Sequence, residues 1–405
     1  MLHRILFCLG LVLALTAAAS PAPKPWADGL TRQDVIAALG EPEGDLPNGN
    51  SERMIFKGDL LIVLTNNQVT NIDGPVPEAL KSKAGPAAAS TPDPAVASTA
   101  ARDFKNSGLV KEDKGDHDGA IADLTKSIAL APNDGVTFYG RGVAEFHKGD
   151  TAAAIVDFNK ALELNPKFAP AYNDRGMAKS LQHDDDGAIA DYNQALALNP
   201  QISQSYYNRG RARQDKGDND GAMVDFSKAI ELAPKDPNAY FNRADVEEER
   251  GDHDRAIADL TKVIELQPAA ADAYTNRGNA KFRKGDLDGA FADYGKAIIV
   301  DPKHVAALKG RANVRLNKKD LDGAITDFTT MIQLQPSSAE ARNDRGSVKA
   351  MQGDSAGAMA DYEAAIKLDP NFAMAYTNRA LARQKMGDAA GAADDRATAA
   401  KLTGK

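Results

Sequence analysis

The side chains that could do chemistry in this sequence are amides and carboxylates that recur at a fixed spacing. One position recurs every 34 residues and mostly carries asparagine or its near-isostere aspartate. These residues are Asn106, Asp174, Asn208, Asn242, Asn276, Asp344 and Asn378, and glycine takes the position at 140 and 310. An amide offers both a donor and an acceptor, so a row of amides can hold an extended peptide backbone. The same side chains could instead bond to an adjacent helix, and the sequence leaves both interpretations open. We call this set the asparagine series.

A second series combines arginine with aspartate. Arginine recurs at 141, 175, 209, 243, 277, 311, 345 and 379, and aspartate recurs at 123, 157, 191, 225, 259, 293, 327, 361 and 395. A charged binding surface is one interpretation. Equal periodicity favours a fixed partnership instead, with bidentate and partly buried Arg–Asp pairs between adjacent helices. Such pairs would set the register of the repeats more than they would add net stability.

No catalytic or metal-binding set is recognisable. The histidines at 117, 147, 183, 253 and 304 fall in different periods, and nothing pairs them as metal ligands or as a base beside a nucleophile. The single cysteine, Cys8, lies in a segment predicted to be removed, which excludes disulfides and cysteine-ligated zinc. No glycine-rich phosphate loop or nucleophile elbow is present. We therefore predict a protein that is not an enzyme and that binds no metal and no cofactor.

Composition narrows the classes of partner. The chain has 405 residues, a net charge of −8, 43% hydrophobic residues and a mean hydropathy of −0.42. These values are typical of a water-exposed protein and not of a polytopic membrane protein. The acidic balance argues against a nucleic-acid partner, because nucleic-acid binders normally carry a basic face.

The elements that position these side chains follow from the punctuation of the period. Gly-Asp pairs begin at 115, 149, 217, 251, 285, 353 and 387, His183 and Lys319 fill the two gaps, and proline recurs every 34 residues from 132 to 370. In residues 203–236, Gly217 can end a first helix in the left-handed conformation, and Asp218 can cap a second helix. Ala222, Phe226, Ala229 and Ile230 recur at helical spacing on that second helix, and Pro234 prevents its continuation.

This helix–turn–helix unit with a 34-residue period resembles the tetratricopeptide repeat (TPR), in nine units from residue 101 to 405. The resemblance implies an all-α superhelical solenoid that binds protein partners, with the first helix of each unit facing a concave groove. The asparagine series is similar to the one in the TPR arm of O-linked N-acetylglucosamine transferases, where the amides hold a peptide backbone. The last unit has Arg396 where the others place an aromatic residue or leucine, as a solvated end requires.

The resemblance also implies which variable positions line the groove. They are apolar near the amino-terminal end, acidic in the middle and mixed polar and basic at the far end. A partner segment with an apolar anchor followed by lysine or arginine would match the first two parts. The predicted partner-binding residues are Asn106, Tyr139, Phe146, Asp174, Met177, Asn208, Arg211, Asn242, Asp245, Glu248, Asn276, Asn279, Lys309, Asn313 and Asn378.

The amino-terminal end indicates export. Arg4, an apolar run from Ile5 to Leu15 and small residues at 17–19 have the order of a signal peptide, predicted as residues 1–19. We expect a periplasmic or secreted protein after cleavage, with an uncleaved anchor as the alternative.

Residues 29–73 are predicted to form a small α+β module. Thr31 to Pro42 and the strands that end at Asp73 resemble the small lipoprotein of the outer-membrane β-barrel assembly machinery, although any small α+β module would fit as well. The lipidated cysteine of that family is missing, so we predict only indirect membrane contact. Residues 74–100, rich in proline and alanine, are predicted to be a disordered linker.

Together these features predict an exported adaptor that binds a partner peptide or helix in the concave groove, within cell-envelope assembly. The alternative is a structural scaffold that associates with itself through its end repeats and has no client groove.

Overall fold

The computed structural model describes residues 30–39, 41–42, 44–48, 51–56, 60–65, 68–73 and 94–404. The chain divides into two compact units, residues 1–99 and 100–405. The predicted signal peptide (1–19) and residues 74–93 of the predicted linker lie outside the described residues. No described helix combines the length and the apolar character needed to cross a bilayer.

The amino-terminal unit packs one helix against an antiparallel sheet. Its elements are α1 (Arg32–Leu39), β1 (Gly44–Asn48), β2 (Ser51–Phe56), β3 (Leu60–Thr65) and β4 (Gln68–Asp73), and the strands pair in the order β1-β2-β3-β4. Ile62 and Leu64 are two residues apart on β3, so both face the same side of the sheet and are buried with Val35 of α1. Strand β1 was not predicted, because its Gly44, Pro47 and Asn48 are typical of turns. Its place at the edge of the sheet tolerates the proline.

Residues 94–404, which include all of the second unit that the structure describes, form a run of paired helices. They are α2 (Pro94–Asp113), α3 (His117–Leu130), α4 (Gly135–Lys148), α5 (Thr151–Leu164), α6 (Ala169–Leu181), α7 (Asp185–Leu198), α8 (Ser203–Asp215), α9 (Asn219–Leu232), α10 (Pro237–Glu249), α11 (His253–Leu266), α12 (Ala271–Lys284), α13 (Leu287–Val300), α14 (Val305–Asn317), α15 (Leu321–Leu334), α16 (Ala339–Gln352), α17 (Ser355–Leu368), α18 (Ala373–Lys385) and α19 (Ala389–Thr403). Within residues 94–404 they form nine pairs, in which even numbers are first helices and odd numbers are second helices.

Helix α2 begins at Pro94, seven residues before the repeat start predicted at residue 101. Residues 94–100, predicted as part of the linker, are therefore helical. Proline is favoured in the first turn of a helix, and alanine, the strongest helix former, follows at 95, 97, 100 and 101. The Ser127 hydroxyl on α3 donates to the Ala101 carbonyl oxygen at 2.7 Å, which joins this early helix to its partner.

The two helices of a repeat approach closely where glycine faces a large side chain. A Cβ on Gly210 would lie 2.8 Å from Cε1 of Phe226, so a larger residue cannot stand there without a shift of the ring. The positions equivalent to Phe226 in the preceding and following repeats are buried and hold Leu124, Phe158, Tyr192, Leu260, Tyr294, Phe328 and Tyr362. Arg396 at this position in the ninth repeat is exposed.

A charged clamp joins the two helices of each repeat after the first. Nε and Nη2 of Arg209 donate to the two carboxylate oxygens of Asp225, at 2.9 and 2.7 Å. The Asp225 side chain is 1% exposed and that of Arg209 15%. The same bidentate pair recurs for the arginines at 141, 175, 243, 277, 311, 345 and 379. The predicted structural partnership of the Arg–Asp series is confirmed, and we call each pair the Arg–Asp clamp.

The clamp arginine also reaches the preceding repeat. Nη1 of Arg209 donates to the Asn193 side-chain oxygen of α7 at 2.6 Å, and six of the arginines make such a third contact. In the first repeat Ser107 replaces the arginine, and its hydroxyl donates to Asp123 at 2.7 Å. Because one planar guanidinium is bonded to two other helices, it sets the register between neighbouring repeats.

A second cation bonds to the same aspartate in seven repeats, including the first, which has no clamp arginine, and it is replaced in two. Arg213, four residues after Arg209, donates to Asp225 at 2.8 Å. The equivalent residues in repeats two and five are Glu145 and Glu247, and one oxygen of each carboxyl is buried without a hydrogen-bond partner among the described residues. Burial and then the negative charge of the clamp aspartate raise the pKa of both carboxyls to about 7.

The chain reverses between the helices of each repeat through one left-handed residue. Gly217 has φ +79°, and Asp218 then caps α9 by accepting from the Gly221 amide at 3.0 Å. His183 and Lys319 take the same conformation with φ of 61° and 63°.

We predict that His183→Gly and Lys319→Gly each stabilise the protein by about 1 kcal/mol, because a side chain in the left-handed region costs about 1–2 kcal/mol. Both side chains are exposed, so little packing is lost. Denaturant midpoints measure the change. Gly217→Ala is the matched control: an added Cβ there meets no atom within 4 Å, so only the backbone penalty remains and the midpoint should fall. A fall in the midpoint for both glycine variants would contradict the prediction.

We predict that the variant Glu145→Gln/Glu247→Gln loses less stability than the wild type as pH rises. Between the ordinary glutamate pKa and about 7, the folded protein holds protons that the unfolded chain has released. Stability from these two carboxyls is therefore present at low pH and is lost as pH rises through about 7. Melting temperatures at about pH 5 and about pH 8 measure the effect. Glu163→Gln, at an exposed carboxylate on α5, should keep the wild-type profile. Identical profiles for the wild type and the double variant would contradict this assignment.

Candidate functional site

The first helices form the inner side of the array. Successive first helices contact one another, as α4 does with α6 and α8 with α10, in addition to their contacts with second helices. Within residues 94–404 no two successive second helices are equally close. The side that carries the first helices is therefore the shorter, concave one. All fifteen predicted partner-binding residues lie on first helices.

The asparagine series is largely bonded to the preceding repeat. Asp174 accepts from the Tyr139 hydroxyl at 2.7 Å, Asn242 donates to the Tyr207 hydroxyl at 2.8 Å, Asn276 donates to Asp245 at 3.4 Å, and Asn378 donates to Asn343 at 2.8 Å. At these four positions the side chains bond to the adjacent helix, which is the alternative that the sequence left open. Burial raises the pKa of Asp174, although the hydrogen bonds from Tyr139 and Asn173 oppose this.

Three members of the series, Asn106, Asn208 and Asp344, lack this contact. Asp344 instead accepts from Asn343 of its own helix at 3.3 Å. Asn106 is exposed on α2. The Asn208 side-chain oxygen accepts from Gln204 at 2.9 Å, while its amide nitrogen is buried with no partner in the described part of the chain.

The two glycines of the series are explained by their neighbours. A Cβ on Gly310 would overlap the Tyr294 ring, and one on Gly140 would lie 2.8 Å from Cδ2 of Leu109. A larger neighbour fills the space of the missing side chain at both positions.

The acidic middle predicted for the groove is a recess of about 340 Å³. We call it the acidic recess, and its lining residues are Gln214, Asp245, Glu248, Glu249, Asn276, Asn279 and Arg283. The structure therefore brings four of the predicted residues together, and it adds Gln214, which was not among the predicted residues. Arg283 is paired with Glu248. Asp245 and Glu249 have no cationic partner among the described residues, so the recess carries an excess of negative charge.

Asp245 is the carboxylate of the recess whose ionised form is disfavoured by its surroundings. Its pKa is raised, first by burial and then by the negative charges of Glu249 and Glu248. A lysine or arginine from outside the chain would relieve this repulsion, because an opposite charge stabilises the ionised form.

The residues on the amino-terminal side of the recess are mostly packed against the array. The Tyr139 ring centroid lies 4.8 Å from that of Phe168, Phe146 packs on the cluster around Phe158, and Met177 packs on the cluster around Tyr192. Leu181 is 63% exposed and provides accessible apolar surface there. The residue Arg211 is exposed on α8.

At the far end, Lys309 is bonded to Glu340 of the next first helix, and Asn313 lies one turn further along α14. Asn279 accepts from the Tyr294 hydroxyl at 2.7 Å. Burial raises the pKa of Asp344, the member of the asparagine series on α16. The polar and basic side chains predicted for this end of the groove are therefore partly bonded within the array.

Two of the histidines do come together, contrary to the prediction that nothing pairs them. Nδ1 of His117 and Nδ1 of His147 both lie within hydrogen-bond distance of the Glu112 carboxylate. This contact could not be predicted from the period, because the two histidines belong to different repeats and meet only through the packing of α2, α3 and α4.

A larger and more open recess of about 590 Å³ lies between α8 and α9. Its charged groups are already paired, Arg209 with Asp225 and Lys228 with Glu231. It therefore offers fewer unpaired charges to a partner than the acidic recess does.

Comparison with known proteins identifies the repeat. Family models described as tetratricopeptide repeat match residues 106–134, 136–168 and, in overlapping pairs, 175–237, 207–271, 241–303 and 275–339, and a further TPR repeat model matches 350–387. Together they cover more than half of the chain. None of the curated proteins is significantly similar to it in sequence.

Solved structures with a similar fold include other TPR proteins. The C-terminal part of a TPR repeat-containing protein from Cytophaga hutchinsonii is 19% identical, with a TM-score of 0.52, over 60% of this chain and 98% of that one. MamA is 26% identical over 40% and 95% (TM-score 0.39), and YrrB, described as a TPR protein with an unusual peptide-binding site, is 24% identical over 44% and 93% (TM-score 0.38). Of these three, the first supports the fold, and the other two superpose too loosely to support more.

TPR arrays are protein-interaction modules, which bind protein or peptide partners. The repeat period, the paired helices, the Arg–Asp clamps and the matching family models agree, and the chain belongs to the tetratricopeptide repeat family.

Proposed function

We propose that the protein is an exported adaptor that binds a basic peptide segment or helix of an envelope partner on its concave surface. The observation that carries this proposal is the acidic recess, where Asp245 and Glu249 lie on first helices without a cationic partner in the described residues. An interface favours a partner whose charge complements it, and a lysine or arginine side chain is the matching group.

The partner segment also needs an apolar residue beside its basic one. Leu181 is exposed at the end of α6, on the amino-terminal side of the acidic recess. An apolar anchor there, followed by a lysine or arginine in the recess, follows the polarity predicted from the sequence. The bonded asparagine series helps by fixing the orientation of neighbouring first helices, so that the surface is formed before the partner arrives.

The export part of the proposal is supported by the order of residues at the amino terminus, with Arg4 before the apolar run of 5–15 and small residues at 17–19. The amino-terminal unit would contact a second partner, and the segment between the units would allow both contacts at once.

The test is photocrosslinking in intact cells. A photoreactive residue replaces Gln214, which lines the acidic recess and takes no part in a clamp, and the control replaces Lys262 on the second helix α11. We expect one discrete adduct from position 214 alone, identified by mass spectrometry. Asp245→Asn together with Glu249→Gln should weaken that adduct. The same mass spectra identify the first residue of the mature protein, which we expect to be Ser20.

Three results would contradict the proposal. Equal or absent adducts at both positions would exclude a client surface at the recess. An adduct to residues 74–100 of the same chain would mean that its own segment fills the groove. Concentration-dependent association in sedimentation would favour the self-associating scaffold, because a client adaptor should remain a monomer.

A further inference from the structure

Three metal-ligating side chains converge where the first repeat meets the second. Glu112 lies at the end of α2, His117 begins α3, and His147 lies near the end of α4. The Glu112 Oε2 atom is 2.9 Å from Nδ1 of His117, and Oε1 is 2.5 Å from Nδ1 of His147. The one candidate ligand atom from each residue lies within 4.8 Å of the other two. Among the described residues, this is where three such side chains come together.

The donor set and its spacing suit a zinc ion. Two imidazole nitrogens and one carboxylate oxygen form a three-ligand set that binds Zn²⁺ and leaves a fourth position for water. Bonds of about 2.0–2.2 Å place tetrahedral ligand atoms roughly 3.5 Å apart, so only small side-chain rotations are needed. The Glu112 side chain is 9% exposed and the imidazoles about one third exposed, which leaves a route for the ion from solvent.

The chain contains an internal comparison for this cluster. Four repeats further on, Glu248, His253 and Arg283 occupy the equivalent positions. His253 Nδ1 lies 2.8 Å from Glu248 Oε1, and the Arg283 guanidinium bonds to Oε2. The backbone therefore accepts either arginine or histidine at the third position. Arginine has no lone pair for a metal, whereas histidine has one.

We propose that Glu112, His117 and His147 bind one Zn²⁺ ion, which ties the first helix pair to the second repeat. The ion replaces the protons that otherwise lie between the two imidazoles and the carboxylate, so binding releases protons. This site is separate from the acidic recess and does not depend on the proposed function. Its effect is to hold α2, α3 and α4 together at the amino-terminal end of the array.

The test is a titration of tag-free, EDTA-treated protein with Zn²⁺ alone, in which calorimetry records the heat of binding. We expect one equivalent bound per chain and a rise in the melting temperature, because a ligand that binds only the folded state stabilises it. Titration with Co²⁺ should give the visible absorption of a tetrahedral site. Mg²⁺, which prefers oxygen ligands in an octahedron, should not bind there.

The matched variant is His147→Arg, which reproduces the arrangement at Arg283. It should keep the helical content and the metal-free melting temperature of the wild type. Its affinity for Zn²⁺ should fall at least about 100-fold, since even the loss of a second-shell partner costs about 10–100-fold. His253→Gln, at the equivalent cluster without the third ligand, should leave Zn²⁺ binding unchanged.

Three outcomes would overturn the proposal. A wild-type protein that binds no Zn²⁺ would reduce the cluster to hydrogen-bonded ion pairs. Unchanged affinity in His147→Arg would place the ion elsewhere, and loss of affinity in His253→Gln would place it in the fifth repeat.

Discussion

The Arg–Asp clamp is the interaction on which the rest of the array depends. A repeat is only two helices, and neither can bury its apolar face without the other and without the next repeat. The clamp fixes the orientation of the two helices around this small core. Its aspartate is almost fully buried, its arginine bonds to both carboxylate oxygens, and the remaining guanidinium nitrogen reaches the preceding second helix. A planar, forked donor permits few alternative geometries, so the contribution is to register as much as to stability.

With the register fixed, the variable first-helix positions form a pre-arranged surface, and different stretches of it have different chemistry. Between repeats one and two, Glu112, His117 and His147 form the cluster that joins neighbouring repeats. Between repeats five and six, the positions of Glu112 and His147 hold the ion pair of Glu248 and Arg283, which lines the acidic recess. In repeats two and five a glutamate replaces the supporting cation of the clamp, and burial raises the pKa of both carboxyls, so we expect local stability there to depend on pH. The repeating frame therefore tolerates substitutions that change chemistry without changing the path of the backbone.

The sequence predicts those features that repeat within one period. The helix pair, the left-handed junction at Gly217, the core position of Phe226 and the partnership of Arg209 with Asp225 all recur every 34 residues, so each is inferred many times over. Contacts between repeats are harder to predict from the sequence, because they join positions whose residue type varies from one repeat to the next. Tyr139 with Asp174, Tyr207 with Asn242 and Glu112 with His147 are each 35 residues apart. That offset of one period plus one residue is the signal that would have revealed them. Strand β1 and the early start of α2 were missed for a local reason, since proline and small residues are common to turns, edge strands and helix starts.

We propose that the concave surface is fixed before binding and selects a partner by its charge and by an apolar anchor. Selection from a random peptide library on the immobilised protein tests it most directly. We expect enrichment of peptides in which an apolar residue precedes lysine or arginine, and loss of that enrichment when Asp245 and Glu249 are neutralised. Enrichment of acidic peptides, or an unchanged selection on the neutralised protein, would contradict it.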